Sequence, residues 1–372
     1  MKNFKLTLAG LFGAAVALSA AAGNPASKNV IDAAYRPLPA DWWNLVKTEP
    51  EMWNSNFRPY DPQFAEMLWS DSTLVRSVEL NATNDLQSVT ALAATCDEAG
   101  FSLLVYVVEP KLRSALEEGK ARPANMLEMY FAPGDSDCGD FEPYYQFLCQ
   151  SVTPHIWGVF PWLMEDRTFR TIKGHLTVDV RHQQTADVLH ARIPWEPLFD
   201  KLPWMKGKKD NLYRLSAIRW ASTGGQTWGG NVHQMSTAGY LRFPQFTEEQ
   251  KTAIMKHLLV CGWDRYNEVL GKPRYSFDLL PVNSNASFVR DEAKWPHTQI
   301  SLAADRAFRE QVMRPMTVER GALGKKIAAF ETLPYAEREA FYKEAAPKLF
   351  NFEYDLQQAW GKWQEELDFN EE

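Results

Sequence analysis

The stretch GHLTVDVRHQQTADVLHARIP, residues 174–194, alternates apolar and polar side chains with a period of two. A helix would repeat its buried face every three to four residues, so this period belongs to a strand with one face in a core. Leu176, Val178 and Val180 share one face, and His175, Thr177, Asp179 and Arg181 share the other. After the turn QQTA the alternation resumes through Leu189, Ala191 and Ile193, which predicts an antiparallel hairpin. FSLLVYVVEP, residues 101–110, is apolar on both faces, as in a strand covered on both sides. The runs MLEMYFAPG (126–134), YYQFLC (144–149), NLYRLSAIRW (211–220) and GYLRFP (239–244) add further short strands. Strand follows strand without helical crossovers, so residues 70–245 are predicted to form an antiparallel β-sandwich in a mainly β protein.

Beyond Pro244 the period changes. Thr247 and Gln250 have the spacing of a capping box, and Met255, Leu258, Leu259, Trp263 and Tyr266 follow at three- and four-residue intervals. Phe352, Leu356, Trp360, Trp363 and Leu367 form a second stripe. Residues 246–372 are therefore predicted to be an α-helical C-terminal extension, with helix faces packed on each other or on the sandwich. At the other end, residues 1–22 carry Lys2 and Lys5, an apolar run from Leu6 to Leu18 and the Ala20–Ala22 run. That is the pattern of a secretory signal peptide, too short to span a bilayer. Between leader and sandwich, residues 23–69 hold Pro37, Pro39, Pro50, Pro59 and Pro62 among several tryptophans. The prolines forbid long regular elements there, and the aromatics are expected to anchor an arm on the body.

Charge narrows the partners. The chain has 40 basic and 47 acidic residues; losing Lys2 and Lys5 leaves 38 against 47, a net −9. An acidic exported protein lacks the clustered cations that nucleic acid requires. Export, to the periplasm, cell surface or medium, also favours cysteine pairing, and the short segment between Cys138 and Cys149 predicts a disulfide. The loop GDSDCGD, residues 134–140, offers Asp135, Asp137 and Asp140 as oxygen ligands suited to calcium, or else is a plain acidic turn.

Among 14 tryptophans, those in RWASTGGQTWGGNVHQ (219–234) stand beside planar polar side chains and glycines. Trp220 and Trp228 offer flat apolar faces for sugar rings; Arg219, Gln226, Asn231 and Gln234 offer hydrogen bonds to hydroxyls. Alternatively the segment is a long loop whose tryptophan plugs the end of a core. No nucleophile elbow, zinc-protease helix or phosphate-binding glycine loop occurs, so the chain is expected not to be an enzyme.

The order FSLLVYVVEP, LEMYFAPG, YYQFLC, LHARIPWEPL, then NLYRLSAIRW…TWGG…GYLRFP resembles the family 9 carbohydrate-binding modules across residues 70–245. The resemblance implies a β-sandwich that holds sugar chain ends against aromatic side chains, near a structural calcium. It implies Trp228 as the aromatic platform and Arg219 as a polar contact, with Tyr145 and Gln146 facing them. Trp157 and Trp162 in HIWGVFPWL are candidates for a second aromatic wall. The function so implied is non-catalytic binding of oligosaccharide or polysaccharide.

Three other readings compete. A b-type haem could sit among Met126, Met129, His233 and Met235 in an electron-transfer sandwich. A carboxylate pair such as Glu128 and Asp179 could cleave glycosides if held at the right separation. The chain could instead be a structural surface protein, its helical extension docking a protein partner.

Overall fold

The structure is a computed structural model that describes residues 30–59, 89–108, 115–120, 125–132, 144–152, 155–162, 168–171, 176–198, 202–204, 211–221, 224–230, 235–271, 275–277, 298–300, 306–317 and 320–370. The chain divides into two compact units, Met1–Gln245 and Phe246–Glu372.

Among the described residues the first unit has thirteen strands: β1 Val30–Tyr35, β2 Arg58–Pro59, β3 Val89–Cys96, β4 Gly100–Val108, β5 Asn125–Ala132, β6 Tyr145–Gln150, β7 His155–Trp162, β8 Thr168–Thr171, β9 Thr177–His182, β10 Ala186–Pro194, β11 Leu212–Ala221, β12 Gly224–Trp228 and β13 Gly239–Arg242. They form two layers. Sheet A runs β8-β7-β6-β5-β11-β13, with β12 and β2 added beside β11; sheet B runs β3-β4-β10-β9. The period-two hairpin is present as β9 and β10, paired from His182 opposite Asp187 to Thr177 opposite Arg192.

β1 belongs to both layers. Val30–Asp32 pair with β13 of sheet A and Ala33–Tyr35 with β3 of sheet B, both in parallel; the other pairings among the described strands of this unit are antiparallel. The arm predicted for residues 23–69 thus contributes a strand to the centre of the sandwich. On the outer edge of that seam Arg242 forks the Asp32 carboxylate.

Alternation assigns the faces. Phe101, Leu103, Val105, Leu189, Ala191 and Ile193 point from sheet B toward Leu127, Met129, Phe131, Phe147 and Leu215 of sheet A. Phe101 meets Phe131 at 5.1 Å and Phe243 at 5.5 Å between ring centroids, closing the interior, and Trp195 caps it with its indole donating to the Asp97 carbonyl at 3.0 Å. At Gly100 the chain passes so close to β10 that an added Cβ would lie 2.3 Å from the Ile193 carbonyl oxygen.

The outer face of sheet B is roofed by the arm. Trp42, Leu45, Val46 and Trp53 pack on Ala91, Ala93, Leu104, Tyr106, Ala186 and Val188, where the alanines let the indoles lie close to the sheet. His190 lies under Trp42 and exchanges a 2.9 Å hydrogen bond with the Ser102 hydroxyl; burial, aided by Arg192, pushes its pKa down to about 4. His182, at the other end of the same turn, pairs with the buried Asp187 on the opposite face.

The second unit begins with the anticipated capping box. The Gln250 amide oxygen accepts from Thr247 N–H at 2.9 Å, and Thr247 Oγ1 accepts from Gln250 N–H at 3.3 Å. It starts α1, Glu248–Gly271, which is followed by α2 Arg320–Ala328, α3 Tyr335–Phe350 and α4 Phe352–Asn370. Gly262 lets α1 approach α3, since a Cβ there would lie 3.1 Å from that of Leu349. Tyr266 meets Phe352 edge-on at 4.4 Å, and Trp360 caps Phe308 at 4.7 Å, so both stripes are helix-packing faces. No helix among the described residues is long and apolar enough to cross a membrane.

Candidate functional site

Arg219 and Trp220 are neighbours on β11, so they face opposite sides of sheet A. That parity divides the candidate residues into two sets, one inside the sandwich and one outside.

Arg219 points inward and is 1% exposed. Its Nε and Nη2 donate to Asn125 Oδ1 at 3.1 and 2.9 Å, and its Nη1 reaches Thr90 Oγ1 and Gln226 Oε1 at 3.4 Å. Asn125 in turn donates to Asp187 Oδ2 at 3.0 Å, and Asp187 Oδ1 meets His182 Nδ1 at 2.7 Å. An interior cation is thus held by a hydrogen-bonded chain that ends at a partly exposed histidine, as burial of charge requires. Trp228 pairs with Ala217 on the same inner face, is 0% exposed, and donates its indole N–H to Asn54 Oδ1 at 3.0 Å. Asn54 also bridges to Leu92 through two backbone hydrogen bonds, so Trp228 fastens the arm to both sheets. Tyr145 is buried on the inner face as well, stacked on Phe147.

These placements correct the implied platform. Trp228 is the core plug of the alternative reading, and Arg219 and Tyr145 are interior side chains; none of the three presents a face to a ligand. Cys149 is likewise inward, buried and a free thiol, so the bridge expected between it and Cys138 is not formed. Burial also holds its pKa well above the usual thiol range. Cys138 itself, Asp135, Asp137, Asp140, Asn231, His233, Gln234 and the leader lie outside the described residues.

The outer face of sheet A is different. Trp220, only partly buried, stands in register with Gly225 of β12 on one side and Met126 of β5 on the other; Met126 pairs with the exposed Gln150 of β6. One row deeper lie Ile218, Glu128 and Leu148, with Trp157 of β7 opposite Leu148. Glu128 is 7% exposed, and its carboxylate accepts from the Trp220 indole N–H at 2.8 Å and from the Gln146 amide. Two donors converging on a buried carboxylate give a charge-assisted network that fixes the indole edge-on. Tyr130 and Tyr144 close the far side in an edge-to-face pair at 5.6 Å. Burial, together with Glu128, drives the Tyr144 phenol far above its usual pKa. The Arg214 guanidinium donates to the Met235 carbonyl at 2.7 Å and Ser216 to the Gly229 carbonyl at 2.8 Å, anchoring the turn beyond β12.

Trp220 and Gln146 are thus brought together, and Trp157 stands in the strand register beside them. Glu128, the residue that joins the first two, was singled out in the sequence only as half of a catalytic pair. Its supposed partner Asp179 is on the outer face of sheet B, so the two carboxylates lie on opposite sides of the sandwich. Met126 and Met129 also face opposite ways, which separates two of the four proposed haem ligands. Among the described residues no group of three or more metal-ligating side chains converges.

No protein-family model matches the chain, and no curated protein matches it. Similar solved structures include a family 9 carbohydrate-binding module from Caldicellulosiruptor kristjanssonii in complex with glucose, 12% identical over 59% of this chain and 97% of that one, with a TM-score of 0.30. The same module in complex with cellotriose is 12% identical over 59% and 95%, with a TM-score of 0.29. A Bacteroides uniformis protein assigned to carbohydrate binding is 12% identical over 57% and 97%, with a TM-score of 0.34.

Proposed function

We propose that the chain is a non-catalytic, exported glycan-binding protein whose site is the outer face of sheet A around Trp220. The observation that carries this reading is the partly exposed Trp220 indole, locked by the buried Glu128 and flanked on β12 by a residue without a side chain. A sugar ring offers a C–H face to such an indole and its equatorial hydroxyls to planar amides at the rim. Gln150 stands two strands from Trp220, a span of about 9–10 Å that accommodates one ring. Trp157 is the residue proposed for the second wall, and the acidic loop at Asp135, Asp137 and Asp140 for a structural calcium.

The test is calorimetry on residues 23–372 with oligosaccharides chosen by a glycan array, with and without calcium, beside Trp220→Ala. Binding that disappears in the variant supports the site. A folded protein that retains no glycan at all refutes the function, and binding indifferent to Trp220 refutes the site.

A further inference from the structure

On α1 of the helical unit, His257 and Cys261 are one turn apart, and the Nε2 of His257 lies 3.4 Å from Cys261 Sγ. Tetrahedral zinc holds thiolate sulfur at about 2.3 Å and imidazole nitrogen at about 2.0–2.1 Å, which places the two donor atoms about 3.5 Å apart. The separation present on the helix is therefore the bite of that ion, with no rearrangement of backbone needed. We infer that His257 and Cys261 form a two-ligand chelate for a borderline-soft divalent cation of the zinc type.

The surroundings favour a cation. Asp264 and Glu268 continue the same line at the next two helical steps and are exposed. The basic neighbours in sequence on the same helix are paired with acids: Lys256 with Glu331 and Arg265 with Glu353. Cys261 is also the only described cysteine that is not buried, Cys96 and Cys149 being 0% and 1% exposed. Binding breaks the S–H bond and forms a sulfur–metal bond; the thiol proton passes to solvent, and no electron transfer is involved. Thiolate with imidazole excludes the hard cations, which take oxygen ligands, so this site is separate in chemistry from the calcium proposed for the sandwich. Two coordination positions stay open for water or for the same pair on a second copy.

Cobalt(II) titration of residues 23–372 tests this, because a cobalt–thiolate bond gives a charge-transfer band that oxygen and nitrogen ligands do not. The band is expected in the wild-type chain and in Cys138→Ser, to vanish in Cys261→Ser, and to yield to zinc but not to magnesium. His257→Gln is expected to weaken zinc binding at least tenfold; both positions are only partly buried, and far-UV circular dichroism verifies that the variants fold. One zinc per chain or one per two chains supports the site, the latter meaning that a second copy completes the coordination. Absence of the band, or its survival in Cys261→Ser, overturns the proposal.

Discussion

Replacing Trp228 and Trp220 separately, each by alanine, distinguishes a buried plug from a recognition surface. Trp228 is 0% exposed between the sheets, and its truncation empties a site lined by residues that cannot collapse freely. Tryptophan-to-alanine changes in cores cost about 3–5 kcal/mol, and here Asn54 also loses the indole hydrogen bond. With a urea slope of about 3 kcal/mol per molar, the unfolding midpoint should fall by about 1–1.7 M. Trp220 is only partly buried, so its loss should cost about 2 kcal/mol, mostly from the Glu128 carboxylate left without one donor. Glycan retention should follow the opposite order: abolished in Trp220→Ala, and preserved in Trp228→Ala wherever that variant is folded. Urea titration followed by fluorescence, beside affinity electrophoresis on the bound polysaccharide, reads both quantities. A Trp228→Ala protein with the wild-type midpoint but no retention would refute the face assignment on which the site rests.

Other consequences are equally direct. Glu128→Ala should weaken glycan binding about tenfold by freeing the Trp220 indole, measured calorimetrically; unchanged affinity would show that the carboxylate does not position the ring. His190, with its folded pKa lowered from 6.5 to about 4, favours the neutral imidazole; its contribution is complete above pH 6.5 and is lost as pH falls through 4. That loss amounts to about 3 kcal/mol, and urea curves at pH 7 and pH 4 should differ by that much less in His190→Gln than in wild type. Gly100→Ala should destabilise the first unit by about 2–3 kcal/mol, because its methyl group would overlap the Ile193 carbonyl; an unchanged melting temperature would contradict the close strand approach.

The two strands of residues 177–194 were legible because each carries its own alternation, and the capping box at Thr247 because both partners lie within one turn. The site was legible only in its residue types. Treating residues 219–234 as one loop pooled Trp220 and Trp228, whereas residues 212–221 and 224–228 are paired strands whose parity sends the two indoles to opposite faces. The same parity, applied to YYQFLC, puts Cys149 on the face of Tyr145 and Phe147 and away from a solvent-side bridge. β1 gave no such signal. VIDAAY is six residues long and lies in the proline-rich arm, and its strand character depends on partners in β3 and β13 that no local pattern announces.

That strand also bears on when the protein can fold. Asp32 and Arg242, which meet across β1 and β13, are 210 residues apart, so the seam between the layers cannot close until almost the whole first unit has been synthesised. Contacts of such separation carry a large loop-closure entropy and slow folding. A chain whose earliest strand must wait for its latest one can form its local hairpins early, but joins its two layers only as the last strand of the first unit emerges.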